Sequence, residues 1–310
     1  MSQQPYSVQH FLQNEWIPSD SNQQQIVHHA IHGTPYALVS TKAIDSNAVL
    51  EFARMEGNAR LRKMTFQERG RMIKALALHL HSKKELFYEV SWATGATRAD
   101  AWIDIEGGIG NLFSYASLRK SFGDTPFAID GEGIPLSKGG SFTGHHILVP
   151  KQGTAIHINA FNFPVWGMLE KVAVNWLAGM PAVVKPATAT SYLTEVVVRE
   201  IVASGILPVG AIQLISGPAR NLLDHVDERD VVTFTGSAST GQMLRSLPRI
   251  NAHSVPFNME ADSLNSCILG PHVEPGDPEF ELFVKEIRKE MTVKCGQKCP
   301  AVRRIFVPDR

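Results

Sequence analysis

Two thiols stand four residues apart in KCGQKCP at residues 294–300, Cys295 and Cys299. A thiolate is both a nucleophile and a soft metal ligand. No second Cys or His pair lies at ligand spacing, so the pair does not read as a zinc site. Cys299 sits in a glycine-containing turn beside lysines, where the thiolate is favoured; burial as a small hydrophobe is the plainer alternative. Upstream, Glu260 in PFNMEADSLNS follows a short apolar strand. Held partly desolvated, its carboxyl would rise toward the range of a general base; the plainer alternative is a solvated loop residue. Asn162 lies between two phenylalanines in INAFNFPVWG, in a strand-to-helix connection closed by Pro164. Its amide suits an oxyanion, or else bonds its own turn.

Two further segments suit anions. In FTGSASTG at residues 234–241, a strand ends at Thr235, Gly236 makes the turn and a helix opens at Ser237. Free N–H groups at such a helix start attract anions, although the segment is neither a P-loop nor G-x-G-x-x-G and also fits a plain strand-to-helix turn. In VVKPAT at residues 183–188, a buried strand delivers Lys185 to its carboxyl end and Pro186 breaks the ladder. That cation suits ribose or phosphate, or is simply solvated. The histidines of VHHAIH at residues 27–32 read as surface or packing groups in a loop.

The elements carrying these residues change character along the chain. Residues 44–120 read as helices; Thr65 followed by Glu68 is a capping-box pattern, with Met72, Leu76 and Leu80 at helical spacing behind it. Ile105, Ile109, Leu112 and Ala116 repeat that spacing, weakened by three glycines. Residues 121–153 are dense in Gly and Pro and read as extended ribbon. From Gly153, strands (TAIHI, PAVVK, IQLI, VVTF) alternate with helical stretches, which argues for parallel βαβ units with ligands at the strands' carboxyl ends. A third region from Phe257 holds CILG, an acidic helix over residues 278–291 and a final AVRRIFV, a strand that calls for partners in a larger sheet.

The 310 residues are enough for about two domains. Thirty basic and thirty acidic side chains leave no net charge, which argues against a nucleic-acid or anionic-membrane partner. No run approaches the ~18 apolar residues of a membrane span, and the start lacks a signal peptide's basic and apolar regions. Three cysteines form no disulfide framework, so the expected location is the reducing cytoplasm.

Taken in order, N-F-P with Asn162, K-P-A with Lys185, F-T-G-S-x-x-x-G, Glu260 and G-Q-x-C with Cys299 resemble the motif set of the aldehyde dehydrogenase superfamily. The resemblance spans the chain: FLQNEW is similar to the family's opening strand, and the helices up to Leu118 to its N-terminal lobe. More narrowly, TGATRADAWIDIEGGIG, KPATAT and FNMEADSLN resemble semialdehyde dehydrogenases joined to ring-opening hydrolases in phenylacetate degradation. Those of benzoyl-CoA degradation share much of this pattern. The implied fold is α/β, a Rossmann-like parallel-sheet cofactor domain with only the start of a catalytic domain. Its divisions are an N-terminal helical part (1–120), a bridging and oligomerisation ribbon (121–152), the cofactor core (153–256) and the catalytic start (257–310).

The resemblance makes Cys299 the nucleophile, Asn162 with the backbone N–H of Cys299 the oxyanion donors, and Glu260 the general base. It makes Lys185 the ribose ligand and Ser237, with Gly236 and Gly241 of the same motif, the pyrophosphate ligand. Thr188 replaces a common glutamate, which points to NADP with NAD as the alternative; A-D-S-L replaces L-G-G-K after Glu260. The implied substrate is a small, CoA-linked aldehyde, and a homo-oligomer is implied. The family's later glutamate and phenylalanine would lie beyond Arg310, so this chain alone is expected to be inactive. The alternatives are a non-catalytic cofactor-binding piece and a CoA-acylating dehydrogenase.

Overall fold

A computed structural model describes residues 4–18 and 22–309. Residues before Ala43 group in sequence with the helices that follow, yet they form five short strands: β1 Tyr6–Val8, β2 His10–Leu12, β3 Glu15–Ile17, β4 Gln24–His28 and β5 Pro35–Ser40. Strands of three to six residues are too short for a two-residue period to stand out. FLQNEW is not one strand. Gln13 and Asn14 take φ of 51° and 67°, which turns the chain between β2 and β3 into an antiparallel hairpin.

Helix α1 (Ser46–Phe52) continues through a π-helical segment, Ala53–Asn58, into α2 (Ala59–Lys63). α3 (Phe66–Ser82) begins with the capping box the sequence predicts: Thr65 Oγ1 accepts the Glu68 N–H at 3.1 Å, and Glu68 Oε2 accepts the Thr65 N–H at 2.8 Å. α4 (Lys84–Ser91) and α5 (Arg98–Ser117) follow. The glycines that weaken the α5 pattern have a packing reason. A Cβ on Gly107 would lie 2.1 Å from the Trp166 ring, and one on Gly108 would lie 2.9 Å from the Trp166 Cα. The ribbon is a hairpin of β6 (Ala128–Pro135) and β7 (Thr143–Leu148), with Ile129, Ile134 and Ile147 exposed.

The central sheet takes β8 (Ala155–Ile158), β9 (Ala182–Lys185), β10 (Ile212–Leu214), β11 (Val231–Gly236) and β12 (Phe257–Ala261). The helices α6 (Trp166–Leu177), α7 (Ser191–Ala203), α8 (Ala238–Arg245) and α9 (Pro248–Ala252) connect them. Strand order is β12-β11-β8-β9-β10-β2-β3, with β8 to β12 parallel and β2 antiparallel to β10. The chain builds outward from β8 to β10, then returns to β8's other side with β11. The topology therefore reverses between β8 and β11, and a crevice opens at their carboxyl ends. Phe257–Ala261, which the sequence places at the start of the next region, is the edge strand of this sheet.

Helices α3, α5 and α6 cover one face with fully buried Leu76, Ile105, Leu112 and Trp176. Each such side chain contributes about 1.5–3 kcal/mol of transfer free energy. Val184 joins that cluster, and its neighbour Val183 joins the one on the opposite face, as expected for a strand buried on both sides. Beyond the sheet, β13 (Ser266–Ile268), α10 (Pro278–Thr292) and β14 (Arg304–Phe306) form a separate unit. The strand in AVRRIFV is three residues long and pairs in parallel with β13. No helix among the described residues is long and apolar enough to cross a membrane.

One buried ion pair ties α1 and the π-segment to the sheet. Asp230, with no exposure, accepts Arg54 Nε at 3.2 Å, the Thr154 N–H at 2.9 Å and the Asp227 N–H at 3.0 Å. Asp230→Ala would leave a buried guanidinium and two N–H groups without their acceptor. Urea unfolding should show a loss of about 3–5 kcal/mol, while Glu51→Ala, which removes a half-exposed partner of the same arginine, should cost under about 1 kcal/mol.

Candidate active site

Asn162 lies in the loop between β8 and α6, Ser237 follows β11, and Glu260 stands near the end of β12 opposite Thr235. All three reach the carboxyl edge of the parallel sheet. The turn after α10 brings Cys299 to the same place, so Asn162, Gly236, Ser237, Glu260, Cys295 and Cys299 line one cleft of about 850 Å³.

The Asn162 loop is fixed from outside itself. Asp104 of α5 accepts the Trp166 N–H at 2.8 Å and the Val165 N–H at 3.2 Å, satisfying donors that the first turn of α6 leaves unpaired. The Asn162 amide donates to the Gln297 carbonyl at 2.9 Å, two residues before Cys299. An NH₂ group carries two donors, so one remains for a ligand. Around Cys299, Asn265 Nδ2 donates to its carbonyl, and Arg303 donates to the Gly296 carbonyl at 2.8 Å.

Two electrostatic expectations are corrected. The Cys299 thiol is not biased toward thiolate. Burial and the Glu260 carboxylate push it above the ordinary thiol value, and Lys298, paired with Glu290 at 2.6 Å, opposes this only weakly. Glu260 is exposed rather than desolvated, and Thr235 Oγ1 donates to it at 3.4 Å.

The other predicted residues divide. The Ser237 hydroxyl accepts the Thr240 N–H at 3.3 Å and so caps α8 at the cleft wall. Gly241 does not line the cleft: a Cβ there would lie 2.4 Å from Met259 Sδ, so this glycine seats α8 on β12. Lys185 ends β9 and Thr188 opens the short turn before α7, both farther along the sheet edge. Lys185 Nζ donates to the Pro186 carbonyl, and burial lowers its pKa to about 8.

The sequence pattern that defines the aldehyde dehydrogenase family matches residues 16–310. The chain belongs to this family. A 3,4-dehydroadipyl-CoA semialdehyde dehydrogenase of Aromatoleum evansii is 45% identical over 299 residues, which are 96% of this chain and 58% of that protein. The fold matches that of a salicylaldehyde dehydrogenase from Pseudomonas putida G7 (TM-score 0.84, 20% identity, 98% of this chain and 61% of that one). It also matches an NADP-dependent glyceraldehyde-3-phosphate dehydrogenase from Bacillus halodurans C-125, solved with NADP (TM-score 0.79, 20% identity, 98% and 62%). The chain spans about three-fifths of the length of these relatives.

Against the family's motif residues, the structure adds some that the motifs do not name. Asp104 is fully buried, and Asp100 and Lys294 hold the turn before Cys299. Asn159 lines the cleft, and both polar atoms of its buried side chain lack a partner among the described residues. Asp104 leaves a trace in sequence: it falls on the apolar stripe of α5 with Ala101, Ile105 and Gly108, where an unpaired charge would be excluded.

Burial raises the Asp104 carboxyl from 3.8 to about 6, against the hydrogen bonds from Trp166 and Val165 and the pull of Lys294. The folded state then holds its proton more tightly than the unfolded chain. Its contribution to stability is complete below pH ~4 and declines as pH rises through about 6. Asp104→Asn keeps one acceptor and does not titrate. Its stability relative to the parent should therefore improve with rising pH, by roughly 2–4 kcal/mol between pH 4 and 7 in urea titrations.

Proposed function

We propose that the protein oxidises a CoA-linked semialdehyde to the acid with NADP, through a covalent intermediate on Cys299. One observation carries this reading: thiol, carboxylate and amide meet in one cleft, and the amide is bonded to the turn that bears the thiol. The 45%-identical relative, named for a CoA-linked semialdehyde, supports that substrate class over an unconjugated aldehyde.

The residues fit a nicotinamide dinucleotide. The cleft lies where the strand order reverses, Ser237 and Gly236 open a helix there, and the unpartnered Asn159 amide offers a donor and an acceptor. Lys185 and Thr188 would take its ribose end. When bound, the nicotinamide supplies the hydride acceptor that turns the thiol adduct into a thioester. With the thiol held protonated at rest, the Glu260 carboxylate takes its proton as sulfur attacks the aldehyde carbon. The remaining Asn162 N–H and the Cys299 backbone N–H hold the developing oxyanion. Glu260, exposed to solvent, releases that proton and then takes one from the water that attacks the thioester, so that the acid leaves and the Cys299 sulfur regains a proton. A carboxylate in the cleft supports water, rather than a second thiol, as the acyl acceptor.

In a full-length context, Cys299→Ala should abolish aldehyde-dependent NADPH formation, and Cys295→Ala should keep most of it. Glu260→Gln should slow both the first turnover and the steady state of NADPH formation, because sulfur and water lose the same base. Equal loss in both cysteine variants, or an unaltered steady state in Glu260→Gln, would count against the assignment.

Cofactor choice gives a separate test. Thr188 offers a hydroxyl where a glutamate would repel the 2′-phosphate, and Lys185 is cationic below about pH 8. NADP should bind more tightly than NAD, and the advantage should shrink as pH rises through that value. Thr188→Glu should move preference toward NAD by about 10-fold or more. Binding titrations followed by fluorescence would read this without turnover, and tighter NAD than NADP binding in the parent would refute it.

A further inference from the structure

The turn that leads to Cys299 adopts a conformation that its own residues disfavour. Lys294 and Cys295 have φ of 52° and 53°, and Gly296 follows at 70°. A left-handed conformation costs a non-glycine residue about 1–3 kcal/mol and persists only where the surroundings over-determine it. Those surroundings are specific. Asp100 Oδ1 accepts the Lys294 N–H at 2.8 Å, and Lys294 Nζ stands 4.5 Å from the centre of the Phe163 ring. Asp104, one helical turn beyond Asp100, attracts the same ammonium.

These contacts join two parts of the cleft. Phe163 directly follows Asn162, and Asp104 holds the N–H groups of Val165 and Trp166 at the end of that loop. The Lys294 turn carries Gln297, whose carbonyl receives the Asn162 amide, and then Cys299. The side chain and backbone of one residue thus engage both α5 and the Asn162 loop, while its chain neighbours carry the thiol.

We propose that Lys294, held by Asp100, Asp104 and the Phe163 ring, is a positioning residue that sets the placement of Cys299 against Asn162. Its consequence for turnover rests on the reading of Cys299 as nucleophile; its consequence for the turn does not. Without the ammonium, the ring face and the two carboxylates lose their counter-charge. The left-handed residues then relax toward their preferred conformation, and the Gln297 carbonyl leaves the Asn162 amide.

The test compares Lys294→Met, which keeps the stem without the charge, with Lys294→Arg, which keeps a cation over the ring. Iodoacetamide labelling at neutral pH is followed by peptide mass spectrometry, with Cys267 on β13 as internal reference. Lys294→Met should label Cys299 about 3-fold faster or more, because an opened turn exposes the sulfur and frees the thiolate. Cys267 should be unaffected, and Lys294→Arg should return Cys299 to the parent rate. In turnover, Lys294→Met should lower kcat with KM little altered. Unaltered Cys299 labelling in Lys294→Met, a parallel rise at Cys267, or no recovery in Lys294→Arg would overturn the proposal. An active Cys299→Ala would instead overturn the nucleophile assignment and leave the labelling result standing.

Discussion

A buried carboxylate, Asp104, grips the first N–H groups of α6, and the geometry of the cleft depends on that contact. Helix α6 needs the grip because its preceding loop, N-F-P, has no side chain of its own in capping position. Burying a carboxylate is costly, and the cost shows in its raised pKa; backbone donors and a nearby ammonium offset it. The result is a short, dry link between α5 and the loop that bears Asn162. The glycine pair one turn further along α5 lets Trp166 pack at backbone distance, so the same helix face both holds the loop and receives the side chain that follows it.

The parallel sheet supplies the other half of the constraint. Five parallel strands send their carboxyl ends to one edge, and side chains there arrive from separate stretches of sequence at fixed spacing. Strand pairing opposes Thr235 to Glu260, so the carboxylate is placed by the register of β11 on β12 rather than by a loop. Gly241 contributes from behind, since only a residue without a Cβ lets α8 lie against Met259 and keep Ser237 at the cleft wall. Cys299 comes differently, on a turn held by Asn265, Arg303 and Asp100 from three directions. The proposed nucleophile is thus the member of the site whose place depends most on side-chain contacts.

This contrast explains what the sequence makes legible. Strands and helices from Ala155 to Arg245 show in the apolar pattern because each is buried on one or both faces, and the Thr65 cap shows because its two partners are local. Asn162, Glu260 and Cys299 stand out through short motifs that strand ends and turns require. Asp100 and Asp104 lie within TGATRADAWIDIEGGIG and Lys294 opens KCGQKCP, but nothing local gives them a role, since their partners are some 60 to 190 residues away along the chain. The charge environment of Cys299 is misread for the same reason: neighbouring lysines suggest a thiolate, but Lys298 is bound to Glu290 and Lys294 turns toward Phe163. Short N-terminal strands escape because three residues carry no period.

The protonated thiol has a consequence for how such a site works. Glu260 raises Cys299 through its negative charge, so a thiolate and a carboxylate together in the cleft are disfavoured. Passing the proton from sulfur to Glu260 avoids that pairing, because one negative charge is present before and after. The cleft then keeps a constant charge while the identity of the charged group alternates between nucleophile and base. A resting thiol is also less open to oxidation than a resting thiolate. In the proposed mechanism, reactivity would come from the arrival of the aldehyde, when attack by sulfur and loss of its proton stabilise one another and Asn162 receives the charge that moves to oxygen. On that proposal, the accuracy of the Asn162–Cys299 placement, more than a low thiol pKa, would limit the rate.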